Sequence, residues 1–336
     1  MKKRKFKILI DGAGTATAIS VIKGLRKQDK YEIEIICIDM DEFNAGRFFA
    51  DKFYKVPPAT FQDFLSSVLS ICQQENIDIF IPIIDLSFQK LSENKDKFEQ
   101  LGTFLLIPEP EVVDITDDKF KTYIFFKENK LPTPRVFTNI KEINKFPVFI
   151  KPRKGGRASI NTFKIQDRDE LEFYIRKYNN MIIQEFVEGE EFTADCLNSL
   201  DGEFIECVIR KRIETKGGVS IKSEIIKGEV SKRIKEHIIK ITERLKIPGS
   251  YNIQGFITDN NSILFTEINP RFAGTHSFTI EAGLNSVKYI LDMYCGAKTH
   301  EIKQKININT NLKMVRYWDE VFIDDGKVYN PWRLLK

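Results

Sequence analysis

The chain has 336 residues, room for two or three domains of ordinary size. Apolar residues make up 42%, which supplies a sizeable core and excludes wholesale disorder. The 52 basic and 48 acidic residues nearly cancel, so no concentrated charge speaks for a nucleic-acid partner.

Five cysteines (Cys37, Cys72, Cys196, Cys207 and Cys295) are scattered without a C-x-x-C, which points to a reducing, cytoplasmic setting. The three histidines show no metal-ligand spacing. No apolar run approaches the roughly 20 residues of a membrane span, so no membrane partner is expected.

Phe6–Ile10 reads as a short buried strand. Asp11, Gly12, Ala13 and Gly14 follow it, and a helix starts at about Thr15 with Ile19, Ile22 and Leu25 on its buried face. Strand, glycine turn and helix N-terminus together form a phosphate-binding design. A second strand, Glu32–Ile38, ends at Asp39, where a dinucleotide-binding unit would place its ribose acid. Gly12, Gly14 and Asp39 therefore admit an NAD-dependent oxidoreductase. Against it, Thr17 stands where the third fingerprint glycine belongs, and a G-x-G is also a common tight turn.

Phe61–Cys72 has helical periodicity with Thr60 as its cap. Ile77–Ile84 and Thr103–Ile107 read as buried strands. Strands alternating with helices predict an open α/β sheet. Thr116–Lys119 begins a further helix, and Leu131–Pro134 forces extended chain after it.

Phe146–Lys151 is a strand ending in a lysine, followed by Gly155, Gly156 and Ser159. Lys151 would set one fixed charge beside a nucleotide, and the glycines would let backbone N–H groups approach phosphate. A basic hairpin turn is the plain alternative. Met181–Val187 is a strand running into the acidic turn at Glu188–Glu191. Phe192–Leu197 and Glu203–Ile213 form a hairpin about Asp201 and Gly202. Arg210 and Arg212 share one face of its second strand, with Lys216 just beyond; a solvated edge strand is the alternative. Val230–Lys246 is an amphipathic scaffold helix.

Tyr251–Thr258 and Ser262–Ile268 read as two strands joined at Asn260 and Asn261. Counting outward pairs Gln254 with Glu267 and Asn252 with Asn269. These oxygens then share a face of the kind Mg²⁺ prefers. Arg271, past Pro270, carries positive charge to the same place. An isolated E-x-N would be a solvated polar face. Phe272–Ser277 is a glycine-containing loop leading into a helix, an arrangement suited to presenting N–H groups to a carboxylate; His276 would assist there or, on the plainer reading, cap the helix. Leu312–Ile323 is a last strand pair, turning at Asp324–Gly326.

The stretch Gln254…Glu267-Ile-Asn269-Pro-Arg271 resembles the metal hairpin of the ATP-grasp superfamily, above all that of the carbamoyl-phosphate synthetase large chain. The resemblance extends over nearly the whole chain, in the order Lys119, Lys151, glycine loop, hinge acid, Gln254, Glu267, Asn269. It implies a Rossmann-like pre-ATP-grasp domain at 1–113, then a two-subdomain ATP-grasp fold at 114–188 and 189–336. ATP and Mg²⁺ (or Mn²⁺) are the implied cofactors. Gln254, Glu267 and Asn269 would hold the metal. Lys119, Lys151, Gly155, Gly156 and Ser159 would hold phosphates, Gln184, Glu185 and Val187 the adenine, and Glu191 the ribose. Arg210, Arg212, Lys216 and Arg271 would stabilise the transferred phosphoryl group. The implied activity is a carboxylate–amine ligase acting through an acyl phosphate on small-molecule substrates, an amino acid or a small peptide or cell-envelope precursor. A homodimer is compatible with the resemblance, and a non-catalytic nucleotide-binding protein is the other alternative.

Overall fold

The computed structural model describes residues 3–155, 160–324 and 327–329. In the first third, strands β1 (Lys5–Ile10), β2 (Glu32–Asp39), β3 (Lys52–Lys55), β4 (Ile79–Ile81) and β5 (Phe104–Leu105) form a parallel sheet in the order β3-β2-β1-β4-β5. Helices α1 (Ala16–Lys27), α2 (Phe64–Glu75), α3 (Asp85–Ser92) and α4 (Lys95–Gln100) connect them. The β1 core is buried because helices cover both faces of a parallel sheet. Thr15 caps α1, its hydroxyl accepting from the Ala18 N–H.

The expected helix at Phe61 begins three residues later. The Phe61 N–H bonds the Pro58 carbonyl in a turn, and Phe61 is exposed. Thr116 also lies at the end of a helix rather than its start. Pro110 opens α5 (Pro110–Asp117), and Asp118 caps α6 (Lys119–Glu128) by accepting from the Phe120 and Lys121 N–H groups.

A four-stranded antiparallel sheet follows, in the order β6-β9-β7-β8. Its strands are β6 (Val136–Phe137), β7 (Val148–Pro152), β8 (Phe163–Ile165) and β9 (Met181–Glu185), with α7 (Arg168–Lys177) between the last two. Its own small core includes Ile143, Ile150, Ile165, Leu171 and Ile183.

The largest sheet holds β10 (Glu190–Asn198), β11 (Phe204–Lys216), β12 (Val219–Ile225), β13 (Ser250–Ile257), β14 (Ile263–Asn269) and β15 (Lys313–Val315). Its order is β14-β13-β10-β11-β12-β15, antiparallel throughout. Helix α8 (Gly228–Leu245) packs Ile234, Ile238 and Ile241 against one face. Helices α9 (His276–Glu281), α10 (Ser286–Tyr294) and α11 (Thr299–Lys305) turn back, and Phe278, Val287, Ile290 and Ile302 join the core under the parallel sheet. The final expected strand pair is divided. β15 joins the large sheet, whereas β16 (Phe322–Asp324) pairs with β17 (Lys327–Tyr329). Among the described residues, no helix is long and apolar enough to cross a membrane.

Candidate active site

The β13–β14 hairpin does pair Gln254 with Glu267 and Asn252 with Asn269, though not through a two-residue turn. The loop spans Thr258–Ser262, closed by the Thr258 N–H to the Ser262 carbonyl at 3.0 Å, with Asn261 left-handed at φ 59°. Near the loop, Ile257 faces Ile263, one step off the expected register. A bulge at Thr266 inserts the missing residue and restores the expected pairs. Gly255 belongs beside that bulge. A Cβ there would stand 2.4 Å from the Leu264 carbonyl oxygen and 2.8 Å from the Phe192 ring.

Gln254, Glu267 and Asn269 line one cleft of about 620 Å³, a size typical of small-molecule sites. Asn252 lies beneath it. Asn269 Nδ2 donates to Asn252 Oδ1 at 3.2 Å, and Asn252 Nδ2 donates to the Arg271 carbonyl at 3.0 Å. This leaves Asn269 presenting its amide oxygen. Among the described residues, no group of three or more His, Cys, Asp or Glu could hold a metal. A divalent cation here would rest on Glu267, the two amides and a ligand's own oxygens, which fits Mg²⁺ and its preference for partial hydration.

Across the cleft, β7 delivers Lys151, 8% exposed. Burial pushes its pKa down to about 8, Glu267 pulls it upward and Lys119 pushes it down. Lys119, at the first turn of α6, lines the same cleft. Its backbone N–H bonds the Arg153 carbonyl at 3.0 Å, while Arg153 Nε pairs with Asp118 at 2.7 Å, so the β7 end and the α6 start are fastened together. Gly155 also lines the cleft. Gly156 and Ser159 lie outside the described residues.

Gln184 and Val187 line the cleft, together with Phe149, Phe186 and Phe256. Glu185 does not. It is exposed, because alternate side chains of β9 face opposite ways, and its carboxylate accepts from the Arg135 N–H at 3.1 Å. Glu191 lines the cleft and pairs with Arg212 Nε at 3.1 Å. Burial raises the Glu191 pKa, and Arg212 opposes that shift.

Of the four basic residues expected to face a phosphoryl group, Arg212 and Arg271 line the cleft. Arg210 does not reach it. β11 is an interior strand, not a solvated edge, and Arg210 is 1% exposed. Its Nε donates to Asp195 Oδ2 at 3.0 Å and its Nη1 to Ser220 at 3.2 Å, which makes it an internal anchor. Lys216 is also outside the cleft, exposed at the hairpin tip with its ammonium 5.5 Å from the Trp318 ring centre. His276 does not cap α9; it is fully buried, and burial lowers its pKa to about 4.

Sequence reasoning missed Asp85 and Phe88, which bring the parallel-sheet domain to the cleft, and Lys164 on β8. Lys164 Nζ lies 4.2 Å from the Phe186 ring centre. Its signal was the alternation of Phe163, Lys164 and Ile165. Nothing local marked Asp85. At the glycine turn, Asp39 Oδ2 accepts from the Gly14 N–H at 2.9 Å and Oδ1 from the Asp41 N–H at 3.0 Å. That carboxylate holds the loop, and nothing here favours an oxidoreductase.

Comparison with known proteins agrees with this fold. Residues 8–106 match a PylC-like N-terminal domain and residues 116–275 an ATP-grasp domain. A carbamoyl-phosphate synthase from Methanobrevibacter smithii is 23% identical over 283 residues, covering 79% of this chain and 75% of the relative. The arginine-specific carbamoyl phosphate synthase large chain of Bacillus subtilis is 25% identical over 79% of this chain, which spans only 27% of that relative's length. The fold of N5-carboxyaminoimidazole synthetase from Staphylococcus aureus, solved with ADP, superposes with a TM-score of 0.67 at 16% identity, over 84% of this chain and 75% of that one. The chain thus carries an ATP-grasp domain preceded by a PylC-like N-terminal domain.

Proposed function

We propose that the chain is an ATP-dependent carboxylate–amine ligase that forms an amide through an acyl phosphate and releases ADP and phosphate. The observation that carries this is one cleft containing Lys151, Lys119 and the Gln254–Glu267–Asn269 patch. The lysines would hold the phosphates of ATP. Phe149, Phe186, Phe256 and Val187 would enclose the adenine, with Glu191 at the ribose. Magnesium, held by Gln254, Glu267 and Asn269, would supply charge neutralisation at the phosphates.

The γ-phosphoryl group passes to a carboxylate oxygen of the first substrate, and ADP leaves. An amine then attacks the acyl carbon, the C–O bond to phosphate breaks, and an amide remains. The chain supplies position and charge for these steps, through Arg212 and Arg271, and needs no side-chain nucleophile. An amino acid or a small peptide or cell-envelope precursor is the substrate class we infer.

A thermal-shift comparison tests the proposal, using Mg·ATP, Mg·ADP, NADH and magnesium alone on wild type and Glu267→Ala. A ligand at a hundredfold excess over its Kd stabilises the fold by about 2.7 kcal/mol. ATP should stabilise wild type only with magnesium, and Glu267→Ala should lose most of the effect. Stabilisation by NADH without ATP would overturn the proposal. ADP release across a panel of carboxylates and amines then identifies the substrates.

A further inference from the structure

Arg271 follows the metal hairpin, which holds its backbone: the Arg271 N–H donates to the Asn269 carbonyl at 2.8 Å, and its carbonyl accepts from Asn252 Nδ2. The guanidinium is held elsewhere. Its Nε donates to Asp85 Oδ1 at 2.7 Å and its Nη2 to Asp85 Oδ2 at 3.2 Å, a forked pair across 186 residues of chain. Its Nη1 donates to the Phe272 carbonyl at 3.0 Å. Arginine has five N–H donors, so two remain without a protein acceptor among the described residues. The Arg271 side chain is 20% exposed, and both it and Asp85 line the cleft.

Asp85 is itself placed by the parallel sheet. It is the first residue of α3, directly after β4 and the turn at Ile83 and Ile84. Both N–H groups of that turn donate to Asp11 Oδ1, that from Ile84 at 3.2 Å. Asp11 directly follows β1, is 2% exposed, and its Oδ2 has no hydrogen-bond partner among the described residues. The switch point of the sheet lies between these two strands, because the chain builds outward to β2 on one side and to β4 on the other. A line of hydrogen bonds and adjoining backbone therefore runs from β1 through Asp11, the β4–α3 turn and Asp85 to the guanidinium in the cleft.

We propose that Asp85 is a positioning residue for phosphoryl transfer, aiming the free Arg271 donors at the transferred group, so that the N-terminal domain completes the ATP-grasp site. This rests on the ligase reading above and adds to it the residue that fixes the arginine. A forked pair suits this role because it fixes the guanidinium plane as well as its position. A lone arginine on the loop after Pro270 would sample many rotamers.

Calorimetry with Mg·ADP alone, and with Mg·ADP plus fluoroaluminate as a surrogate for the transferred phosphoryl group, tests the proposal. Wild type should bind the fluoroaluminate complex at least about tenfold more tightly than Mg·ADP, the share of one charge-assisted hydrogen bond. Asp85→Asn should lose most of that margin while its affinity for Mg·ADP stays within about twofold. In an Arg271→Lys background, Asp85→Asn should add nothing, because it acts through the arginine. If Asp85→Asn fails to fold by far-ultraviolet circular dichroism, Asp85→Glu replaces it and should lose part of the margin. A full margin in the variant, an equal loss of Mg·ADP binding, or no margin in wild type would each overturn the proposal. Failure of wild type to bind Mg·ADP at all would instead overturn the nucleotide site itself.

Discussion

Lys151→Met should make the unliganded protein more stable and unable to use nucleotide. Burial drops the Lys151 pKa from the ordinary 10.5 to about 8, with the attraction of Glu267 already included. At about 1.4 kcal/mol per pKa unit, holding the charged lysine costs the empty fold about 3 kcal/mol at pH 7. Methionine keeps the apolar stem and removes the charge. For a chain of 336 residues the entropy of unfolding is about 0.7 kcal/mol/K, so Tm should rise by about 4 °C. The sign follows from the protons. Below pH 8 both states hold the proton and the cost is complete. Between pH 8 and 10.5 the folded protein has released its proton while the unfolded chain retains it, so wild type gains on the variant as pH rises. Scanning calorimetry from pH 7 to 10.5 should show the two curves converging. A variant less stable than wild type at pH 7, or a gap that does not narrow with pH, would refute the reasoning. Adding Mg·ATP should stabilise wild type alone.

The same lysine sets a pH limit on binding: Kd for Mg·ATP should rise above pH 8, by up to about tenfold per pH unit, as free Lys151 loses its proton, measurable by titration calorimetry. Gly255→Ala should destabilise by about 2 kcal/mol or more, because its Cβ meets the Leu264 carbonyl oxygen at 2.4 Å. It should also weaken magnesium-dependent stabilisation, since relief requires moving the bulge that aligns Gln254 with Glu267. Arg210→Met should cost about 3–5 kcal/mol by stranding buried Asp195, yet leave Mg·ADP affinity within about twofold; urea unfolding and calorimetry separate the two effects. His276 titrates near 4 in the fold against 6.5 in the unfolded chain. Stability should therefore be complete above pH 6.5 and fall as pH drops towards 4, and His276→Leu should flatten that limb of the denaturation curve.

What the sequence made legible was governed by local pattern. Alternating apolar strands and helices revealed the parallel sheet, and period-two spacing put Gln254, Glu267 and Asn269 on one face. The correct pairing arose from two compensating departures, a longer loop at Thr258–Ser262 and a bulge at Thr266, neither of which leaves a signal in residue counts. Arg210 and Arg212 were indistinguishable in sequence, being two apart on one strand. Only the depth of β11 in the sheet, and Asp195 on β10 beside it, separates an anchor from a cleft residue. Asp85 was invisible for a different reason: its partner lies 186 residues away, beyond any local periodicity.

The core beneath the parallel sheet draws on both ends of the chain, Phe6 to Cys37 on one side and Phe272 to Ile302 on the other. The four-stranded sheet keeps its apolar side chains largely to itself. This asymmetry decides where the chain can be cut. Expressing residues 1–113 alone would expose the seat of α9 and α10, and the remainder would carry two greasy helices with nothing to lie on, so both fragments should aggregate. Hydrogen exchange should show the strands of the four-stranded sheet opening as a separate unit, while β1 and α10 exchange together despite standing far apart in the sequence.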